Sequence, residues 1–139
     1  MAETIRQVMT SELVALPMTA TIGEAARAMR DDDIGDVIVL DDGRVAGIVT
    51  DRDIVVRGLA TGRDPKQTRL ADICSRDLTT ISPTADVKDA EALMKNKALR
   101  RLPVVENGQP VGIVSLGDLA VDRDRRSVLG EISAAPPNR

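Results

Sequence analysis

Apolar and polar positions follow one order of periods along this chain, and that order is written twice. Leu13-Val14-Ala15-Leu16 and Leu78-Thr79-Thr80-Ile81 are short β-prone runs, each followed by a proline at Pro17 or Pro83. Helical spacing comes next. Ile22, Ala25, Ala26 and Met29 fall at i, i+3, i+4 and i+7, and Val87, Ala90 and Met94 keep the same phase. Thr21 with Glu24, and Asp86 with Asp89, supply the N-cap and N3 residues of such helices. Two hairpins follow, residues 36–40 into 44–49 and 102–105 into 111–114. Their turns carry Asp42-Gly43 and Asn107-Gly108, pairs suited to positive φ at both central positions. Each hairpin is predicted to run into a second helix, starting near Thr50 or Ser115.

Laying residues 8–56 over 73–121, an offset of 65 with no gap, gives twelve identical pairs. Among them are Leu13/Leu78, Ala25/Ala90, Met29/Met94, Gly43/Gly108, Gly47/Gly112 and Asp53/Asp118. This period is too long for a solenoid unit and predicts two small modules that pack as a pair, with two similar sites at their interface. The fold class is therefore α/β, as two tandem β-α-β-β-α repeats. Repeat 1 spans 8–60, a polar linker with Gly62 and Asp64-Pro65 spans 61–72, and repeat 2 spans 73–130. Residues 2–9 form a short lead-in helix, mirrored by 70–74, and the tail 131–139 is expected to be disordered.

Composition narrows the chemistry. A net charge of −3 gives no basic stripe for nucleic acid. No apolar run is long enough to span a bilayer, so no membrane partner is expected. A lone Cys74 excludes an internal disulfide and fits a reducing, cytoplasmic address. The chain has no histidine, the commonest general base and metal ligand. It also has no Phe, Tyr or Trp, so any bound ring must be sandwiched by aliphatic side chains. No nucleophile–base pair and no metal cluster stand out, so no enzyme activity, resident metal or required cofactor is expected. Asp31-Asp32-Asp33 reads as a solvated helix end rather than a cation site. Met9, Met18, Met29 and Met94 read as packing residues, and Cys74 as the apolar stand-in for Met9 in the second copy.

The densest match pairs Gly47-Ile48-Val49-Thr50-Asp51-Arg52-Asp53 with Gly112-Ile113-Val114-Ser115-Leu116-Gly117-Asp118, a doubled G-I-V-[ST]-x-x-D. Two readings stand side by side. In one, the hydroxyl and the carboxylate three residues on form a capping box that satisfies backbone N–H groups. In the other, the hydroxyl at a helix mouth meets a phosphate and the carboxylate accepts bonds from a ribose.

The doubled pattern resembles tandem CBS domains, the Bateman module. The marks are Val8-Met9-Thr10, the amphipathic helix from Ile22 to Met29, Leu102-Pro103-Val104-Val105 and the G-I-V-[ST]-x-x-D element. The short chain is similar to stand-alone two-CBS proteins of actinobacteria, some linked to hypoxia or stress. The resemblance implies two repeats packed sheet to sheet about a pseudo-twofold axis. It implies a cleft that takes AMP, ADP, ATP or S-adenosylmethionine as a regulatory ligand, and pairing of two chains into a homodimer that reports to an unknown regulated protein.

Carried onto this sequence, the second site comprises Ser115 for phosphate, Asp118 for ribose, walls from Ile81, Leu99, Leu102 and Pro103, and Arg100 and Arg101 for phosphate. The first site comprises Thr50 and Asp53, with Leu16, Ile34 and Val37 as walls. There Gly35-Asp36 replaces the arginine pair, and acidic Asp36 repels a phosphate, although Arg52 or Arg57 offers partial compensation. The second site is thus the better nucleotide candidate. Apolar faces at Ile54, Val55, Leu59 and at Leu116, Leu119, Ala120 are expected to pair with a second chain. The rival reading is a dimeric protein–protein scaffold whose cleft holds no ligand.

Overall fold

A computed structural model describes residues 3–76 and 78–125; the end of repeat 2 and the tail at 131–139 lie outside them. In chain order the elements are α1 (Ile5–Val8), β1 (Ala15–Pro17), α2 (Ile22–Asp32), β2 (Asp36–Asp41), β3 (Arg44–Thr50) and α3 (Asp51–Asp53). After α3 come a π-helical turn (Ile54–Gly58) and a 3₁₀ turn (Leu59–Thr61). The second half adds α4 (Leu70–Ile73), α5 (Val87–Lys97), β4 (Arg101–Glu106), β5 (Gln109–Ser115) and α6 (Leu116–Arg125). The class is α/β.

The chain forms two compact units, and they do not follow chain order. Unit 2 is essentially residues 13–78, whereas unit 1 joins residues 1–12 to 79–107 and 111–139. Each lead-in helix therefore packs on the other copy. Ile5 of α1 is buried with Ile81, Val87, Leu102 and Val114, and Leu70 and Ile73 of α4 are buried with Ile22, Val37 and Val49. The backbone bonds repeat at the same offset of 65. Ile5 N–H donates to the Ala85 carbonyl and Leu70 N–H to that of Ala20; Thr10 exchanges two bonds with Ile113, and Ser75 two with Ile48.

Glycines at both Gly47 and Gly112 permit that exchange. A Cβ at Gly47 would lie 2.6 Å from the Ser75 carbonyl oxygen, and one at Gly112 would lie 2.6 Å from Met9 Sδ and 2.9 Å from the Thr10 carbonyl oxygen. Gly47→Ala is therefore expected to cost about 1–3 kcal/mol in a denaturant melt, since a backbone strand must shift to admit the methyl.

Hairpin geometry follows the turn residues. Asp42 and Asn107 have φ of 52° and 55°, and Gly43 and Gly108 have 79° and 80°. In unit 2, β1 runs parallel to β2, and β2 pairs antiparallel with β3, with Asp36 opposite Thr50 and a bulge between Val39 and Leu40. In unit 1 the predicted first strand shrinks to one parallel bridge, Ile81 with Val104. Both long helices end on a residue in the left-handed region, Asp33 and Ala98. Alanine is strained there, so Ala98→Gly should raise stability by about 0.5–1 kcal/mol by thermal melting.

Three expectations need correction. Ala26 is exposed, so the α2 stripe is Ile22, Ala25 and Met29. Leu119 is only 3% exposed and belongs to the core of unit 1, and Ile54 to that of unit 2; neither is part of a surplus face. The second helix of repeat 1 is not regular: Gly58 packs against Ile22, and the Thr61 hydroxyl lies 2.8 and 2.9 Å from the Arg57 and Gly58 carbonyls. Within the polar linker, the Pro65 and Thr68 carbonyls accept the N–H groups of Gly23 and Ile22 at the start of α2.

Candidate functional site

In unit 1 the strand β5 turns directly into α6 at Ser115. Ser115 N–H donates to Asp118 Oδ2 at 2.9 Å, and Asp118 N–H donates to Ser115 Oγ at 3.0 Å. The capping box is thus formed. It consumes one carboxylate oxygen and the acceptor side of the hydroxyl, leaving the hydroxyl proton to donate elsewhere. Asp118 Oδ1 lies 3.4 Å from Thr10 Oγ1. Capping and ligand chemistry are therefore compatible in one element.

The Leu116 N–H donates to the Arg100 carbonyl at 2.8 Å, which fixes the backbone of Arg100-Arg101 beside this helix mouth. Arg100 is exposed and Arg101 half-buried. The apolar candidates divide. Leu99 is half-buried, but Ile81 is buried, and Leu102 and Pro103 are fully buried and present no surface in this state. Leu102 and Ile81 belong to the core cluster of unit 1.

Unit 2 repeats the box: Thr50 N–H to Asp53 Oδ2 at 2.9 Å, and Asp53 N–H to Thr50 Oγ1 at 3.1 Å. The surroundings differ. Asp36 stands directly across the sheet from Thr50, and Arg57 Nε lies 3.7 Å from Asp53 Oδ1. Leu16 and Ile34 are half-buried against the core, Val37 is fully inside it, and Arg52 is exposed on α3.

Sequence reasoning missed Thr10. It belongs to the lead-in of repeat 1 yet reaches Asp118 of repeat 2. The available signal was its match with Ser75 in the 65-residue register.

The pattern of these elements matches the model of the CBS domain twice, over residues 5–59 and 70–122. The chain belongs to the CBS-domain family. It is 39% identical over 119 residues to the CBS domain-containing protein YhcV of Bacillus subtilis, covering 86% of this chain and 84% of that protein. Hypoxic response protein 1 of Mycobacterium tuberculosis is 33% identical over 118 residues, covering 84% and 82%. The crystal structure of Hypoxic Response Protein I with two coordinated zinc ions superposes with a TM-score of 0.77, covering 85% of this chain and 97% of that one. A hexameric CBS-CP12 protein from bloom-forming cyanobacteria gives 0.78 at 28% identity, covering 100% and 78%. CBS proteins of this stand-alone kind are generally regulatory. Among the described residues no helix is long and apolar enough to cross a membrane.

Proposed function

We propose that the chain is a non-catalytic regulatory module that binds an adenosine-containing ligand, AMP, ADP, ATP or S-adenosylmethionine, at the Ser115–Asp118 element of unit 1. The observation that carries this reading is the hydrogen-bond state of the box. Ser115 keeps a proton to donate to a phosphate, Asp118 Oδ1 accepts from the Thr10 hydroxyl at 3.4 Å and keeps a second lone pair for a ribose, and Arg100-Arg101 begin beside both. With no aromatic residue in the chain, the base packs on aliphatic side chains and backbone. The Thr50–Asp53 element is the weaker site, because Asp36 faces Thr50 and Arg57 already engages Asp53.

Calorimetric melting tests this directly, since there is no Trp or Tyr to follow. Adenosine ligands at about 100 times their dissociation constant should add about 2.7 kcal/mol, and guanosine ligands far less. Flat melting curves across AMP, ADP, ATP, S-adenosylmethionine and NAD would favour the scaffold reading.

The regulatory module acts as a homodimer. Val55, Val56 and Leu59 in unit 2 are 55%, 44% and 52% exposed, and Leu116 in unit 1 is 54% exposed, large apolar surfaces of the kind that subunit contacts cover. Light scattering should report twice the chain mass, and Leu59→Asp should shift it toward the monomer.

A further inference from the structure

The two hairpins turn through Asp42-Gly43 and Asn107-Gly108 with the same backbone, φ of 52° and 79° in the first and 55° and 80° in the second. Their chemistry differs. The second turn carries an amide where the first carries an acid, and Asn107 is exposed at the tip. What lies over each glycine differs too. Nothing comes within 4 Å of a Cβ built on Gly43, whereas one on Gly108 would meet the Arg44 guanidinium, with Nη2 at 2.6 Å and Nε at 3.0 Å. Arg44 and Gly108 both belong to unit 2, where the Gly108 carbonyl also accepts the Val45 N–H at 3.1 Å. A cation therefore rests against the residue that follows the exposed amide.

We propose that Asn107-Gly108 is a self-modification site, at which the asparagine side chain loses ammonia and becomes an acid with assistance from Arg44. Hydroxide removes the Gly108 N–H proton, and the nitrogen attacks Asn107 Cγ. The N–Cγ bond forms, the Cγ–Nδ2 bond breaks, and the leaving amide nitrogen takes a proton from water to depart as ammonia. Nothing is oxidised or reduced. Water then opens the five-membered imide and restores the N–H. Cleavage at Cγ leaves aspartate in an ordinary peptide chain, and cleavage at the main-chain carbonyl leaves a β-linked residue. Either product makes the net charge of −3 one unit more negative.

Three features favour the reaction. Gly108 has no side chain to crowd the attacking nitrogen. The deprotonated nitrogen and the tetrahedral oxyanion are both negative, and a guanidinium held against Gly108 stabilises such charge. The aspartate product also fits the turn, because Asp42 already holds the same left-handed backbone in the other hairpin.

The test is incubation of the full chain in mildly alkaline buffer made with ¹⁸O-water, followed by peptide mass spectrometry. The peptide carrying Asn107 should show one amide-to-acid exchange with one labelled oxygen. Asn96, also exposed but on α5 and followed by Lys97, should stay an amide. Arg44→Ala should slow the reaction at Asn107 about two- to fivefold, the size of an exposed charge interaction. Arg44→Lys keeps the charge and should keep most of the wild-type rate. In concentrated urea all three proteins should react at one rate, because the contact with Gly108 is gone. An Asn107 that stays intact in the native chain, or an Asn96 that reacts as fast, would overturn the proposal. So would an Arg44→Ala rate equal to or above that of wild type, or an Arg44→Lys rate as low as that of Arg44→Ala.

Discussion

Leu102→Ala should lower the stability of the unliganded protein by about 2–5 kcal/mol, the range for deleting a fully buried leucine side chain. Leu102 has no exposed surface and packs in one cluster with Ile5, Ile81, Val104 and Val114. Its neighbour in the motif, Arg101, lies on the other face of the period-two strand, the face it shares with buried Pro103. A leucine that served chiefly as a ligand wall would behave differently. Its truncation would leave the unliganded melt nearly unchanged and lower affinity alone. Denaturant unfolding with and without AMP separates the two, and a loss under about 1 kcal/mol would remove Leu102 from the core.

Asp118→Ala should weaken adenosine-ligand binding by about ten- to a hundredfold, the equivalent of one or two hydrogen bonds to a charged group at 1.5–3 kcal/mol. The carboxylate has two jobs. Oδ2 caps α6 through Ser115 N–H, and Oδ1, which accepts from the Thr10 hydroxyl at 3.4 Å, has a second lone pair for a ribose hydroxyl. Losing the cap costs about 0.5–2 kcal/mol of stability by itself. Asp53→Ala loses the equivalent cap through Thr50 N–H, so it is the matched control for stability. Its effect on the tighter binding site should be smaller. A melt of the two variants without ligand should therefore show similar losses, whereas their affinities should differ.

Much of this fold is legible from residue pattern because the decisive signals are local. Asp42-Gly43 and Asn107-Gly108 demand turns with positive φ, and those turns fix both hairpins. Ile22, Ala25 and Met29 mark one buried face by spacing alone, as do Val87, Ala90 and Met94. The exchange of lead-in helices is a different kind of fact. A four-residue helix such as Ile5–Val8 fits either copy by composition, and chain order favours the wrong one. Only the three-dimensional bonds from Ile5 to Ala85 and from Thr10 to Ile113 decide it. Burial of Leu102 and Val37 was hidden for a related reason. Both lie on strands whose β-prone runs show which residues are apolar but not which of them reach the surface. The π-helical turn after Asp53 ends on Gly58, which lies close to Ile22, a tertiary contact without a local signature. In the site, the box residues Thr50, Asp53, Ser115 and Asp118 were legible because the motif is doubled. Thr10 was not, since its role follows from the exchange.

In the proposed function the Ser115–Asp118 element binds an adenosine ligand and is the stronger of two unequal sites. Isothermal titration of AMP, ADP, ATP and S-adenosylmethionine into wild type, Asp118→Ala and Asp53→Ala tests it most directly. The predicted result is saturable heat for at least one adenosine ligand in wild type, a ten- to hundredfold loss in Asp118→Ala, and a smaller change in Asp53→Ala. Abolition of binding by Asp53→Ala with Asp118→Ala intact would contradict the ranking of the sites, and the same affinity in all three proteins would contradict the nucleotide reading itself.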